Sequence, residues 1–254
     1  MRLADKGIVV TGASGIAAAG ARAAAREGGR VFVISLDRAE CEDLTADIDA
    51  VGFAVADLRD ERSAEEAFAA ARSGLGSVDG LLAVAGGSGR RFGDGPLAEM
   101  SLDALEETMH MNGNPAFLAA REAVRAMREG NGGSVVLVSS VLATSPSPKH
   151  FSTHGYAAAK GAINAMTTSL AAYYARDRIR VNTIAPGLVR TPMAERAAGD
   201  TAIVEYAYRK QPLAGGLLDP DDIAAAAVFF LSDESAVITG QLLAVDGGWT
   251  VTEA

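Results

Sequence analysis

Gly7-Ile8-Val9-Val10-Thr11 is a short apolar, β-branched run with a glycine at its head and another, Gly12, just past its end. Such a run suits a strand buried on both faces. Gly12-Ala13-Ser14-Gly15-Ile16-Ala17 follows, then an alanine-rich stretch that reads as a helix to Glu27, stopped by Gly28-Gly29. Arg30-Val31-Phe32-Val33-Ile34-Ser35 is the next strand. Strand, small-residue turn, helix and strand make a βαβ unit. Its first turn offers backbone N–H groups and the positive end of a helix, the arrangement that receives a pyrophosphate. A tight turn without a ligand is the competing reading.

The alternation continues along the chain. Helices are expected over 39–50, from Ser63 (Ser63 and Glu66 forming a capping box), from Ser101, over 115–128, over 156–175 and over 219–231. Strands are expected over 52–56, 80–85, 134–139, 179–185 and 242–245. No repeat or linker interrupts the pattern. It predicts an α/β chain whose residues 1–254 form a single Rossmann-like domain, a doubly wound parallel sheet with helices on both faces.

Composition narrows the function. A net charge of -9 argues against nucleic acid and anionic membrane surfaces as partners. One cysteine, Cys41, leaves no disulfide framework and no cysteine metal site, and no metal is expected. No apolar run is long enough to span a bilayer, and the first residues lack the apolar stretch of a signal peptide, so the expected setting is the cytoplasm.

Tyr156-Ala157-Ala158-Ala159-Lys160 carries the chemistry. On a helix the tyrosine and lysine share a face. A nearby ammonium favours phenolate, so the Tyr156 pKa is expected to fall toward the range of an acid/base catalyst. An exposed helix pair is the bland alternative. What raises this one is its company: Ser139-Ser140 at a strand end, Asn112, and the glycine turn.

With these pieces in place the chain resembles the short-chain dehydrogenase/reductase family over nearly its whole length. The matching residues are Thr11-Gly12, Asp57-Leu58, Ala83-Val84-Ala85-Gly86, Asn112, Ser139-Ser140, Tyr156 with Lys160, Pro186-Gly187 with Thr191, and Asp246-Gly247-Gly248. The resemblance implies an NAD(P)-dependent oxidoreductase interconverting a ketone and a secondary alcohol. Tyr156 would be the general acid/base, Ser140 would hold the substrate oxygen, and Lys160 would lower the tyrosine pKa and bond the nicotinamide ribose. Asn112 would hold a water linking Lys160 to solvent, or would bend its helix.

The resemblance also implies the cofactor contacts: Gly12, Ser14, Gly15 and Ile16 at the pyrophosphate, Ser35 and Leu36 at the adenosine ribose, Asp57 and Leu58 at the adenine, Ala85 and Gly86 along the backbone approach, and Pro186, Gly187, Val189 and Thr191 around the nicotinamide, beside Tyr156 and Lys160. Ser35 stands where NAD-preferring members carry an acid, and Arg38 could attract a phosphate, so NADP(H) is weakly preferred over NAD(H). A small-molecule substrate is expected beneath a loop or lid around 188–215, with Phe92, Leu142, His150, Phe151, His154 and Met193 as candidate walls. Arg90 and Arg91 could attract an anionic substrate, although an adjacent pair also suits a solvated loop. The apolar C-terminal strand and alanine-rich helices resemble the surfaces through which relatives form homotetramers or dimers.

Two departures stand out. The glycine turn is one residue shorter than the family's usual Thr-Gly-x-x-x-Gly-x-Gly, and Ala17 replaces its last glycine. The shortening is expected to shift the pyrophosphate donors. It keeps alive a non-catalytic nucleotide-binding protein of the same fold. A Ser/Tyr-dependent relative without hydride transfer is the other alternative, and Lys160 weighs against it.

Overall fold

The computed structural model describes residues 1–253. Among them a seven-stranded parallel sheet runs in the spatial order β3-β2-β1-β4-β5-β6-β7. The strands are β1 (Gly7–Thr11), β2 (Arg30–Ser35), β3 (Gly52–Val55), β4 (Gly80–Ala83), β5 (Gly133–Val138), β6 (Ile179–Pro186) and β7 (Leu242–Val245). The helices are α1 (Gly15–Arg26), α2 (Arg38–Ile48), α3 (Glu61–Leu75), α4 (Leu102–Glu129), α5 (His154–Tyr174), α6 (Glu195–Ala198), α7 (Thr201–Lys210) and α8 (Pro220–Leu231). Successive strand residues point to opposite faces and build two cores. Val9, Leu81, Val135 and Val181 meet α3, α4 and α5. Ile8, Val10, Leu82 and Val136 meet α1, α2 and α8. The chain leaves β3 at one edge and returns as β4 beside β1, so a crevice opens at the carboxyl ends of β1 and β4.

Three local expectations are corrected. Helix α3 starts at Glu61, capped by Asp60, whose side chain accepts from the Ser63 N–H at 2.7 Å. Ser63 is not the cap, because its Oγ is occupied by the Asp57 N–H at 3.0 Å. The reciprocal capping box lies instead at Asp219 and Asp222. Finally, the two helices expected on either side of Pro115 are one, α4. Proline withdraws the donor owed to the Met111 carbonyl, yet Pro115, Ala116, Leu118 and Ala119 are buried and the packing carries the helix through.

The shortened turn fits without distorting α1. Ala17 is buried at the place of the missing glycine. The close helix-to-strand approach occurs one turn later, where a Cβ on Gly20 would lie 2.3 Å from Leu82 Cδ2.

Helix α5 has an unusual start. Its cap residue, Thr153, makes no side-chain capping bond. The buried Asp94, from the long connection between β4 and α4, accepts from the Gly155 N–H at 2.8 Å and from the Tyr156 N–H at 2.9 Å. One carboxylate therefore satisfies two first-turn donors and complements the helix dipole. Asp94→Ala leaves both donors buried and unpaired, and chemical denaturation should show a loss of about 1–3 kcal/mol. Asp94→Asn, which keeps one acceptor, should recover part of it; equal stability of Asp94→Ala and wild type would remove Asp94 from this role.

Candidate active site

The crevice holds a groove and, continuous with it, a cavity. The groove is lined by Gly12, Ser14, Gly15 and Ile16 from the glycine turn, by Ser35 and Leu36 beyond β2, by Asp57, Leu58 and Arg59 beyond β3, and by Ala85 and Gly86 beyond β4. The cavity is lined by Ser140, Tyr156, Pro186, Gly187 and Val189. Ile16, Thr191 and Met193 line both. The two compartments thus gather all the sequence-predicted site residues except Asn112 and Lys160, which lie behind the wall.

The turn is built to receive an anion. Ser14 caps α1 by position alone, with no side-chain bond, and the first turn carries no acid. The Ala17 and Ala18 N–H groups turn back to the Ser14 carbonyl, whereas those of Gly15 and Ile16 have no acceptor among the described residues. Gly12 has φ 98° and Gly15 φ 52°, both in the left-handed region. A Cβ on Gly15 would come within 2.9 Å of Thr191 Cγ2, and one on Gly86 within 2.8 Å of Asn112 Oδ1. Gly187 is equally constrained, since a Cβ there would meet Gln211 Oε1 at 2.3 Å. That buried amide ties down the strand end by accepting from the Leu188 N–H at 2.6 Å and donating to the Leu188 and Gly216 carbonyls. These observations fit a dinucleotide. The shorter turn still lines the groove along its whole length.

The adenosine end differs in detail from expectation. Asp57 does not present a free carboxylate. It accepts from the Arg59 backbone and grips the Arg59 guanidinium at 2.6 to 3.1 Å, which holds its carboxyl below the usual range. Arg38 does not line the groove; it stacks over Phe53 and pairs with Glu42. Glu40 lines the groove instead.

At the reacting end Ser139 and Ser140 part company. Ser139 is buried and donates to the Lys160 carbonyl at 2.9 Å, locking β5 to α5. Ser140 opens on the cavity beside Tyr156 and accepts from the Leu142 N–H at 3.2 Å. Lys160 is 4 % exposed; its ammonium donates to the Val138 carbonyl at 3.0 Å and sits 5.6 Å from the centre of the Tyr156 ring. Asn112 is fully buried. Its amide accepts from the Gly87 N–H and donates to the Gly87 and Thr108 carbonyls, clamping the β4 turn to α4.

The expected fall in the tyrosine pKa is overturned. Burial pushes Tyr156 up to about 12 against the opposing pull of the neighbouring Ser140 hydroxyl, and burial brings Lys160 down to about 8. Enclosure disfavours the charged form of both groups, and at this separation it outweighs their attraction.

Of the candidate walls, Leu142, Phe151 and Met193 line the cavity; Phe92, His150 and His154 do not. His150 instead packs on Tyr206 of α7, which with Phe151 surrounds the buried Trp249. Four site residues gave little warning. Asp94 and Arg196 sit in loops and short helices without a pattern, Gln211 follows α7 as an unremarkable amide, and only the Asp57-x-Arg59 spacing could have pointed to the ion pair.

Comparison with known proteins agrees with this geometry. Residues 10–250 match the family model described as enoyl-(acyl carrier protein) reductase. The chain is 38% identical to the inactive 2-(S)-hydroxypropyl-CoM dehydrogenase 2 of Xanthobacter autotrophicus, across 91% of this chain and 99% of that one. It is 33% identical to the 2,5-dichloro-2,5-cyclohexadiene-1,4-diol dehydrogenase of Sphingobium indicum, across 98% of each. The solved structure of a short-chain type dehydrogenase/reductase from Mycobacterium ulcerans superposes with a TM-score of 0.92 at 26% identity, covering 100% of this chain and 93% of that one. A parallel sheet opening between β1 and β4, a tyrosine and lysine gathered on α5, and these matches place the chain in the short-chain dehydrogenase/reductase family, among oxidoreductases that act on CH–OH groups.

Proposed function

We propose that the chain interconverts a ketone and a secondary alcohol with a nicotinamide dinucleotide, and that Tyr156 moves the proton. The observation that carries this reading is that Ser140 and Tyr156 line one largely apolar cavity, with the buried Lys160 ammonium 5.6 Å from the centre of the tyrosine ring. The uncapped turn at residues 12–16, Gly86 and the Pro186–Thr191 segment would hold the dinucleotide. When bound, the nicotinamide supplies or accepts the hydride.

The chain's own groups do the rest. Ser140 donates to the substrate oxygen and fixes it beside the phenol. In reduction Tyr156 gives its proton to that oxygen as negative charge develops there. A phenol held near 12 keeps its proton throughout the neutral range, so it is ready as an acid. In oxidation it takes the proton back, and a charged Lys160 below pH 8 stabilises the phenolate. Asn112 serves this relay by holding the Gly87 turn, and so the floor above Lys160, in place.

Residues 188–215, with α6 and α7, act as the lid, because Met193, Ala194 and Ala197 already form one wall of the cavity. At the adenosine end Ser35 and Arg59 accept a 2′-phosphate while Glu40 opposes it, so NADP(H) is preferred only weakly. Edge strand β7 leaves Leu242 and Leu243 exposed beside an unpaired sheet edge, which supports a homo-oligomer, placed in the cytoplasm. No helix among the described residues is long and apolar enough to cross a membrane. The inactive name of one relative favours a second reading, a nucleotide-binding protein without turnover. The complete Ser140, Tyr156 and Lys160 set speaks for activity.

Tyr156→Phe should lower carbonyl reduction by about 10²–10⁴-fold while nucleotide binding, followed by fluorescence, persists; retained turnover would remove Tyr156 from the mechanism. The buried lysine makes a pH test. Between pH 8 and 10.5 the unfolded chain binds more protons than the folded one at Lys160, so stability rises with pH there. Tyr156 acts oppositely from pH 10 to 12. Urea midpoints should show a wild-type gain of about 2 kcal/mol between pH 7.5 and 9.5 that Lys160→Met lacks; parallel profiles would contradict the buried ammonium. Comparing kcat/KM for NADPH and NADH should give a ratio above unity but below about tenfold, and Glu40→Ala should raise it. A strong NADH preference that survives Glu40→Ala would reverse the cofactor assignment.

A further inference from the structure

Two guanidinium groups face the substrate cavity without a carboxylate. Arg90 comes from the connection between β4 and α4, and Arg196 from α6 in the lid, and both line the same cavity as Ser140 and Tyr156. Among the described residues, neither lies within ion-pair distance of an acid. On the same acidic chain, Arg121 and Arg125 each collect two or three glutamates. Arg90 is anchored through one nitrogen to the His150 carbonyl at 3.4 Å. Asp94, whose charge also acts on Arg90, is spent on the start of α5. The walls between the arginines and Tyr156 are apolar: Leu142, Phe151, Val189 and Ala197.

Arg90 and Arg196 are exposed to solvent at the cavity, where two like charges repel and Arg90 gives up part of its hydration. The guanidinium of Arg90 is pulled below its usual range first by burial and then by Arg196. An anion between them removes both costs, and a carboxylate matches the guanidinium fork with paired N–H···O bonds.

We propose that the substrate is a hydroxy- or oxo-carboxylate whose carboxylate seats between Arg90 and Arg196, with its carbinol or carbonyl carbon at Ser140 and Tyr156. This substrate class rests on the redox reading of the site. It also gives the lid a cause for closing, because Arg196 is carried by α6 and Arg90 by the opposite wall.

The test is calorimetric binding to the full chain saturated with NADP+, which forms a complex that cannot turn over a ketone. The probes are 4-oxopentanoate, 5-oxohexanoate and their methyl esters. At least one acid should bind about tenfold or more tightly than its ester, the worth of one charge-assisted hydrogen bond, and the preference should shrink at high salt. Arg90→Met with Arg196→Met should bring acid and ester to within about threefold. Acids that bind no better than their esters, no binding of any probe, or a preference that survives the double substitution would each overturn the proposal. Tyr156→Phe should keep the acid preference while losing turnover. Failure of the redox reading would therefore appear in turnover and failure of the substrate class in binding.

Discussion

Everything at the reacting end depends on burying one ammonium. Lys160 reaches the carboxyl end of β5 from the first turns of α5 and donates a hydrogen bond to the Val138 carbonyl. The adjoining Ser139 hydroxyl bonds back to the Lys160 carbonyl. Strand and helix are thereby stapled at the one place where a parallel sheet opens, and the phenol of Tyr156 is set above the staple. Burial is costly to a charge, and the depressed lysine and elevated tyrosine are two signs of one enclosed environment.

The surrounding parts hold that arrangement still. Asp94 fixes the start of α5, Asn112 fixes the turn after β4, and Gln211 fixes the turn after β6. Each is a buried side chain that spends its hydrogen bonds on backbone. The ends of β4 and β6 and the start of α5 are thus each tied to an element across the crevice. The tight glycines, 86 and 187, mark where these ties pass closest to the backbone. The aromatic group of Phe151, Tyr206 and Trp249 does the same for the long loop after β5, joining it to α7 and the C-terminal segment.

The fold was almost wholly legible in the sequence, because a parallel sheet writes its strands as continuous apolar runs and its crossovers as helices. Strand β7 is read to the residue, and the others to within a residue or two. The misreadings share a cause. At Ser63 a competing hydrogen bond from Asp57 decided the cap, and at Pro115 tertiary packing overrode a helix breaker. Of the site, the residues on strand ends and on α5 could be named because they match the family's motifs in order and spacing along the chain. Asp94, Arg196 and Gln211 could not, since they arrive from loops whose course is set by contacts far away in sequence. The tyrosine pKa went the wrong way for a related reason: pairing is visible in a motif, whereas enclosure belongs to the folded state.

The claim on which the account stands is that hydride passes between a bound nicotinamide and a substrate carbon held at Ser140 and Tyr156. Incubation of the protein with reduced nicotinamide dinucleotide deuterated at its reactive carbon and a panel of ketones, followed by mass spectrometry of the alcohols, measures this directly. The account predicts deuterium on the carbinol carbon of at least one product, matched by oxidised nucleotide. Tight nucleotide binding with no label in any alcohol would contradict it and leave the chain a binding protein.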